Sequence, residues 1–543
     1  MSNVRLALLL LLLLVSCLPA LHALTFDPSG AVLGEQKTVV LLVEFSDAAH
    51  SMSSETIHKL IFAEMNRYYI EASFGKVSVA GKETTQWHRL PFASAAYDLA
   101  KPTTSDRERI RFATDAVYAA DNEVDFKEYA RVIILSATTV WPATVRMNVA
   151  THDGVIVNRA VIASESISLS ALVREYGRLL GLDYLCDQTL FKAGRYPGAY
   201  LGSWDPMSNC LGFDEFGRPE KLVHFAVWNK MQLGWIEQSQ IVKIKPGGTN
   251  FTSLAPLGSG GQGKLLVLIP ESSKSYYMVE FREKTGYDTN LYDHGALITY
   301  YDGKTPLRVI DQNPMTSYFN DAAFDFRPGR LPVYVNPFTG FSVIVLENKN
   351  TLLKLMVSTA EKGKIAGKAE RAIAEANSTI AANRDQGKTK GLEEADGFLK
   401  LAIDAFTMAK FEETLTLAKQ AFEKALGATF PEAYTQAGKL LNQTRTKLEE
   451  AGRKPYKSQE AVKLLEKANV FYTQGVDAYE EGDWATALDL AQKAQALIEE
   501  AFRKEDEFAK QQETFRFLII SGAAVLLIAL AASAIIQRRK KSR

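Results

Sequence analysis

The spacing of apolar residues changes repeatedly along this chain, and each change predicts a different kind of element. From Lys37 to about Ile236, short β-branched runs (Val39–Phe45, Val132–Leu135, Val155–Ile162) alternate with helical periods at Glu55–Ile70 and Asp106–Ala119. That alternation predicts an α/β domain. One further helix is predicted from Ser168 to Leu180, ending at Gly181, a residue suited to a left-handed helix cap. Between Ile241 and about Ser358 the pattern becomes strands separated by Gly, Pro and Asn turns: Leu265–Ile269, Tyr276–Phe281, Ala296–Tyr301, Leu331–Val335 and Phe341–Glu347. A compact β-sandwich-like domain is the natural reading. Beyond Ala360 proline almost vanishes, and Ala, Glu, Lys and Leu dominate to residue 513.

This last stretch is helical and it repeats. Ala395, Phe398, Asp404, Ala405, Phe406, Phe411, Leu415, Leu417 and Ala418 recur as Ala468, Phe471, Asp477, Ala478, Tyr479, Trp484, Leu488, Leu490 and Ala491, a constant offset of 73 (468 less 395). Each copy reads as an αα-hairpin turning near Ala409 or Gly482. It suits either a rigid spacer or a peptide-binding array.

Two uncharged runs bound the chain. Residues 6–21, after Arg5, read as a secretory signal peptide ending near residue 23, and Leu14–Cys17 also fits a lipoprotein cleavage site. Phe517–Ile536 is an uncharged stretch long enough to span a bilayer core of ~30 Å. Arg538, Arg539, Lys540, Lys541 and Arg543 follow it, so the positive-inside rule predicts a cytoplasmic tail. The predicted organisation is a signal peptide (1–23), an α/β domain (37–238), a β-rich domain (239–360), a helical repeat stalk (361–514), a transmembrane helix (515–537) and a basic tail (538–543). That makes a single-pass protein of the cell membrane with its N-terminal ectodomain outside. With 63 basic and 63 acidic residues the net charge is zero, and no global field favours nucleic acid. Of three Cys, Cys186 and Cys210 lie in the predicted ectodomain, where an oxidising compartment suits a disulfide, although two free buried thiols also fit.

The chemistry concentrates between Arg174 and Met207, in V-R-E-Y-G-R-L-L-G-L-D-Y-L and then W-D-P-M-S. Zinc peptidases with a helical H-E-x-x-H place two His on one helix face to hold the metal, with the Glu polarising the attacking water. Some add a Gly, a third ligand and a Met-containing turn beneath the metal. Glu175, Gly181 and Met207 stand in those places, with Trp204, Asp205, Pro206 and Met207 forming the turn. The ligand positions hold Arg174, Arg178 and Tyr184. This frame resembles the immune inhibitor A-like metalloproteases, whose corresponding stretch runs approximately H-E-F-G-H-x-L-G-L-P-D-L-Y-D. Val39–Asp47, Tyr68-Tyr69 with Ala72–Gly75, Trp228 with Leu233-Gly234-Trp235, and Tyr276–Asp302 add to the likeness, which covers roughly residues 36–305.

The resemblance implies a zincin-like head. The departure at all three ligand positions implies that zinc is lost and that Glu175 is vestigial. A guanidinium stays protonated and offers no lone pair, so Arg174 and Arg178 exclude a cation. If buried they need acids, and Asp183, Asp187 and Asp205 are the nearest in sequence. Pairing of Arg174 with Glu175 looks strained, because adjacent residues point about 100° apart on a helix. Turn acids Asp288, Asp293 and Asp302 leave a calcium site open. No spaced pair of His and no nucleophile with a recognisable base appears. Three readings follow: a pseudoprotease whose cleft binds a peptide or surface protein, a structural surface protein with no peptide ligand, and a peptidase using other residues.

Overall fold

The computed structural model describes residues 30–541, apart from 188, 191–199, 209, 211–219, 305–306 and 317–318. The predicted signal peptide with Cys17, and the last two residues of the basic tail, lie outside the described residues. The chain is mixed α/β with several sheets. It forms two compact units: one extends to Arg371 and includes Asp404–Thr414, and the other comprises Ala372–Ile403 and the chain from Leu415 onward.

The first unit is built on a six-stranded sheet of β1 (Gly34–Glu44), β2 (Val77–Glu83), β3 (His88–Arg89), β4 (Arg131–Ser136), β5 (Ala143–Ala150) and β6 (Ile156–Ser164). Its order is β2-β1-β4-β6-β5, with β3 pairing β1. All pairs are parallel except β5 with β6. Both faces of β1 are covered, which is why it reads as a continuous apolar run rather than an alternating one. Val40 and Leu42 join a core with Ile133, Leu135 and Val161, beneath α1 (Ser54–His58, a π-helical Lys59–Met65, and Asn66–Ala72). Val39, Leu41 and Val43 face the opposite core, where α2 (Asp106–Ala120) contributes Phe112, Ala113, Ala116 and Val117.

Neither β2 nor β5 is among the strands expected from sequence. In β5 only Ala143, Val145, Met147 and Val149 are buried, so its apolar content is diluted by outward-facing polar residues. It is the last strand of the sheet, and among the described residues nothing pairs with its outer edge. The predicted functional helix is α3 (Leu169–Leu180), capped by the Ser168 side chain and ended by Gly181 at φ 116°.

The β-rich stretch continues the same unit, after the short helix α4 (Val227–Gln232). One sheet contains β7 (Ile241–Lys243), β9 (Leu266–Pro270), β10 (Tyr276–Arg282), β11 (Gly295–Tyr301) and β12 (Arg308–Ile310). The other contains β8 (Asn250–Leu254), β13 (Val333–Val335), β14 (Phe341–Asn348) and β15 (Leu353–Thr359). They share one core, in which Val267, Val279 and Ile298 meet Val343, Val345, Leu355 and Val357.

The remaining helices are α5 (Ala360–Asp385), α6 (Leu392–Thr407), α7 (Phe411–Leu426), α8 (Glu432–Gly452), α9 (Gln459–Glu480) and α10 (Trp484–Lys541). The repeat is larger than the hairpin its side chains suggest, because the same offset that carries Phe411 onto Trp484 carries the start of α5 onto the start of α8. Each copy is therefore three helices. The helix α10 is 58 residues long. Ala487, Ala491, Ala494 and Ile498 of its first turns are buried, whereas Phe517 and Leu527 are 72% and 67% exposed. Its C-terminal half is long and apolar enough to cross a membrane.

The two hairpin turns have the same backbone. Ala409 has φ 59° and Gly482 has φ 85°. Lys410 N–H donates to Ala405 C=O, and Asp483 N–H to Ala478 C=O, both at 2.9 Å. A left-handed residue with a Cβ costs roughly 1–2 kcal/mol, which glycine avoids. Ala409→Gly is therefore expected to stabilise the protein by about 0.5–1 kcal/mol, and Gly482→Ala to destabilise it by about 1 kcal/mol. Denaturant midpoints of the detergent-solubilised chain check both signs.

Candidate functional site

The site is assembled on α3 because ten of its twelve residues are buried, including the two adjacent charged ones. Tyr69 donates its hydroxyl to the Val173 carbonyl at 2.8 Å, and Tyr176 hydrogen-bonds Thr38 of β1 at 2.8 Å. These contacts fix the rotation of the helix against the sheet. Gly177 has no side chain, and a Cβ there would lie 3.1 Å from the Met207 sulfur and 3.3 Å from the Phe225 ring. The turn Trp204–Met207 thus packs directly beneath the helix. Met207, Pro206, Asp205 and Trp204 are all buried.

Arg174 is 4% exposed and Glu175 1% exposed. Arg174 Nη1 donates to Glu220 Oε2 at 2.8 Å, and its Nε lies 3.5 Å from Glu175 Oε1. Burial works against the guanidinium charge, yet Glu220 and Glu175 outweigh it and hold its pKa above the ordinary value, while burial pushes the Glu220 carboxyl up to about 8 in spite of Arg174. Glu175 accepts from the Tyr184 hydroxyl at 2.7 Å and 2.8 Å and from Thr144 of β5 at 3.1 Å. Burial, followed by the Glu175 charge, pushes the Tyr184 phenol well above its usual pKa, so it remains the donor. Three of the positions singled out from sequence (Arg174, Glu175 and Tyr184) therefore meet in one cluster.

Two expectations need correction, the partner of Arg174 and the depth of Arg178, whose partner is the expected Asp183. The acid that compensates Arg174 is Glu220, not Asp183, Asp187 or Asp205, and Glu175 does approach it. Glu220 lies far along the chain and its proximity is produced by the fold, so no local signal pointed to it. The second concerns Arg178, which is not comparably buried. It contacts the Asp183 carboxylate and the Leu182 carbonyl, and its guanidinium stands 4.6 Å over the Tyr184 ring. Arg178 is 21% and Asp183 86% exposed, so solvent screens this pair. Asp187 accepts from the Thr189 and Leu190 amides.

Asp205 turns away from both arginines. It accepts from the Met207 and Ala226 amides at 2.7 Å and 2.6 Å and from Asn229 Nδ2 at 2.8 Å. Burial nevertheless pushes its carboxyl up to about 7. The same turn is held from β10, where fully buried Arg282 donates to the Trp204 and His224 carbonyls and forms a double contact with Asp288. Asp293 is likewise engaged by Arg327 and Arg330. Two of the three turn acids considered for calcium are thus neutralised by arginine. Cys186 and Cys210 form a disulfide with a Cα separation of 6.4 Å, tying the loop after α3 to the segment after the Met207 turn.

The residues do not fit zinc. Two of the three ligand positions carry guanidinium groups already paired with acids, and the third carries a phenol held protonated. Among the described residues no group of three or more His, Cys, Asp or Glu side chains could hold a metal. Beside the cluster lies a cleft of about 550 Å³, bounded by Pro102–Ile110, by Trp141–Arg146 and by Gly181–Tyr184. Arg146, Arg159, Glu175 and Arg178 also line it. The wall from β5 was missed in the sequence, although the strict alternation of Ala143, Val145, Met147 and Val149 is a strand signal. No protein-family model matches the chain, and no curated protein is significantly similar to it.

Arg174→Ala would leave Glu220 buried without its cation and is expected to cost roughly 3–5 kcal/mol. Arg178→Ala removes a solvent-screened pair and is expected to cost about 1 kcal/mol or less. Thermal unfolding of the two variants measures the difference. Between its unfolded and folded pKa values, from about 4 to about 7, Asp205 binds a proton in the folded state that it lacks when unfolded. Its contribution is therefore full below that window and is lost as pH rises to 7. Asp205→Asn should remove this part of the pH dependence, which melting temperatures of both proteins from pH 4 to about 8 would reveal.

Proposed function

We propose that this chain is a membrane-anchored, catalytically inactive relative of the immune inhibitor A-like metalloproteases, whose cleft binds a peptide or another surface protein without cutting it. The observation that carries this reading is the state of Glu175. A water-polarising carboxylate must be free to bind water beside a metal, whereas Glu175, although it borders the cleft, is 1% exposed and accepts hydrogen bonds from Tyr184 and Thr144 beside the Arg174 charge. The binding half of the proposal draws on the cleft, which is lined by β5, the strand whose outer edge has no partner among the described residues. An exposed strand edge offers main-chain donors and acceptors to an extended peptide.

The anchor is the apolar half of α10. The basic residues from Arg538 onward favour a cytoplasmic C-terminus, with the zincin-like head outside the cell. An oxidising compartment agrees with the Cys186–Cys210 bond.

Metal analysis of the purified full-length protein, together with a protein-substrate digestion assay, tests the inactive half of the reading. Substoichiometric zinc and no cleavage are expected, with or without added zinc. Stoichiometric zinc, or cleavage abolished by Glu175→Gln, would return the chain to the peptidases. Binding to a peptide array tests the other half: the expected result is retention of a subset of peptides, and retention of none overturns it.

A further inference from the structure

One wall of the cleft carries positive charge that acids among the described residues compensate only in part, chiefly through Asp183. Arg146 of β5 and Arg159 of β6 are direct cross-strand partners. Arg131 of β4 joins the same row, because Ile133 pairs with Val161 and both arginines lie two positions earlier. The three share the sheet face that carries α3. On that face Ile133 and Val161 pack with Leu172 and Tyr176, and Thr144, two positions before Arg146, reaches Glu175. Arg178 closes the group from the end of α3, and its carbonyl accepts from Arg159 Nη1 at 3.2 Å.

Like charges placed side by side across strands repel and destabilise a sheet. Compensation here is thin. Arg178 has the exposed Asp183, and Arg131 has only the neutral Gln36 side chain, at 3.1 Å. Among the described residues Arg146 and Arg159 form no ion pair. Burial lowers the Arg159 pKa, and Arg146, Arg178 and Arg131 lower it further, so the groups sense one another. The Arg131 and Arg178 Nε atoms are buried without a hydrogen-bond partner. The cleft also contains acids, but Glu175 already faces the Arg174 guanidinium and accepts from Tyr184, and Asp106 lies in the first turn of α2. Guanidinium groups present fixed forks that match carboxylate oxygens, so several together select an oxyanion over a neutral amide.

We infer that Arg146, Arg159 and Arg178 form an oxyanion subsite of the cleft, which takes the carboxylates of an acidic peptide segment lying along β5. The inference rests on the peptide-binding reading above and specifies its ligand. Anion binding relieves the repulsion between the arginines, and the β5 edge supplies the main-chain half of the contact. Arg146 is the exposed member and meets the ligand first. Arg159 and Arg178, tied to each other, form the deeper part of the site.

The test uses the full-length protein in detergent and three probes: a labelled Glu-rich peptide, its Gln counterpart and inorganic phosphate. The Glu-rich peptide is expected to bind on the order of tenfold more tightly than the Gln peptide, with the preference shrinking as salt rises. Arg146→Glu should abolish the preference, Arg146→Lys should retain part of it, and Lys127→Glu, an exposed reversal elsewhere on the same unit, should leave it intact. Because Arg146 is exposed, Arg146→Lys and Lys127→Glu are expected to melt like the parent protein, whereas Arg146→Glu, which places an acid opposite Arg159, is expected to melt at or above it, and the same samples report both. Equal binding of the Glu and Gln peptides overturns the oxyanion subsite while leaving peptide binding in place. Binding of phosphate in an Arg146-dependent manner, with neither peptide bound, overturns the peptide reading and keeps the anion site. No binding of any probe overturns both.

Discussion

A guanidinium group keeps its charge wherever it is placed, and the interior of a protein accepts such a charge only among anions. Arg174 imposes that condition at the centre of the first unit. Meeting it requires Glu220 from one segment and Glu175 from the same helix. Glu175 in turn draws Tyr184 from the following loop and Thr144 from the edge strand. A single buried cation thereby joins α3 to three other parts of the chain, much as a bound metal ion cross-links the segments that ligate it. The ion pair and the disulfide bracket the same loop, so the helix end is restrained on both sides.

A second buried cation performs a similar task from the β-rich part of the unit. Arg282 satisfies the carbonyl groups of Trp204 and His224 while Asp288 balances its charge. The Met207 turn is therefore held by α3 above, by the Asp205 contacts to Ala226 and Asn229, and by β10. The α/β and β-rich parts of the sequence are distinct in pattern, yet the charge network makes them interdependent. Changes on β10 would be felt at the turn beneath the functional helix.

Much of this arrangement was legible in the sequence, for reasons that differ from residue to residue. The α3 helix carried its own boundaries in Ser168 and Gly181, whereas the close packing of Gly177 against Met207 emerges only in the fold. Strands with both faces buried, such as β1, showed as apolar runs. Strands with one wet face, such as β5, did not, because their signal is alternation and not hydrophobicity. The Glu220 partner was invisible, since a contact between positions so far apart is a product of tertiary folding. The depth of Arg178 was misjudged: a position one turn from Arg174 shares its helix face, but lies where α3 ends and solvent enters. In the repeats the hairpin was readable from its aromatic and alanine positions. The third helix was not, because α5 and α8 start one offset apart to within a residue but differ in length and preserve no recognisable side chains.

The unbroken course of α10 has a mechanical meaning. At 1.5 Å per residue its 58 residues extend about 90 Å, from a segment packed against α8 and α9 into the apolar stretch fit for a bilayer. No glycine–proline joint or loop separates the packed part from the apolar part. A helix without a hinge behaves as a lever: were the apolar half to sit in a bilayer, a change in its tilt would be felt at the last helical repeat, and a pull on that repeat would be borne by the span without slack being taken up first.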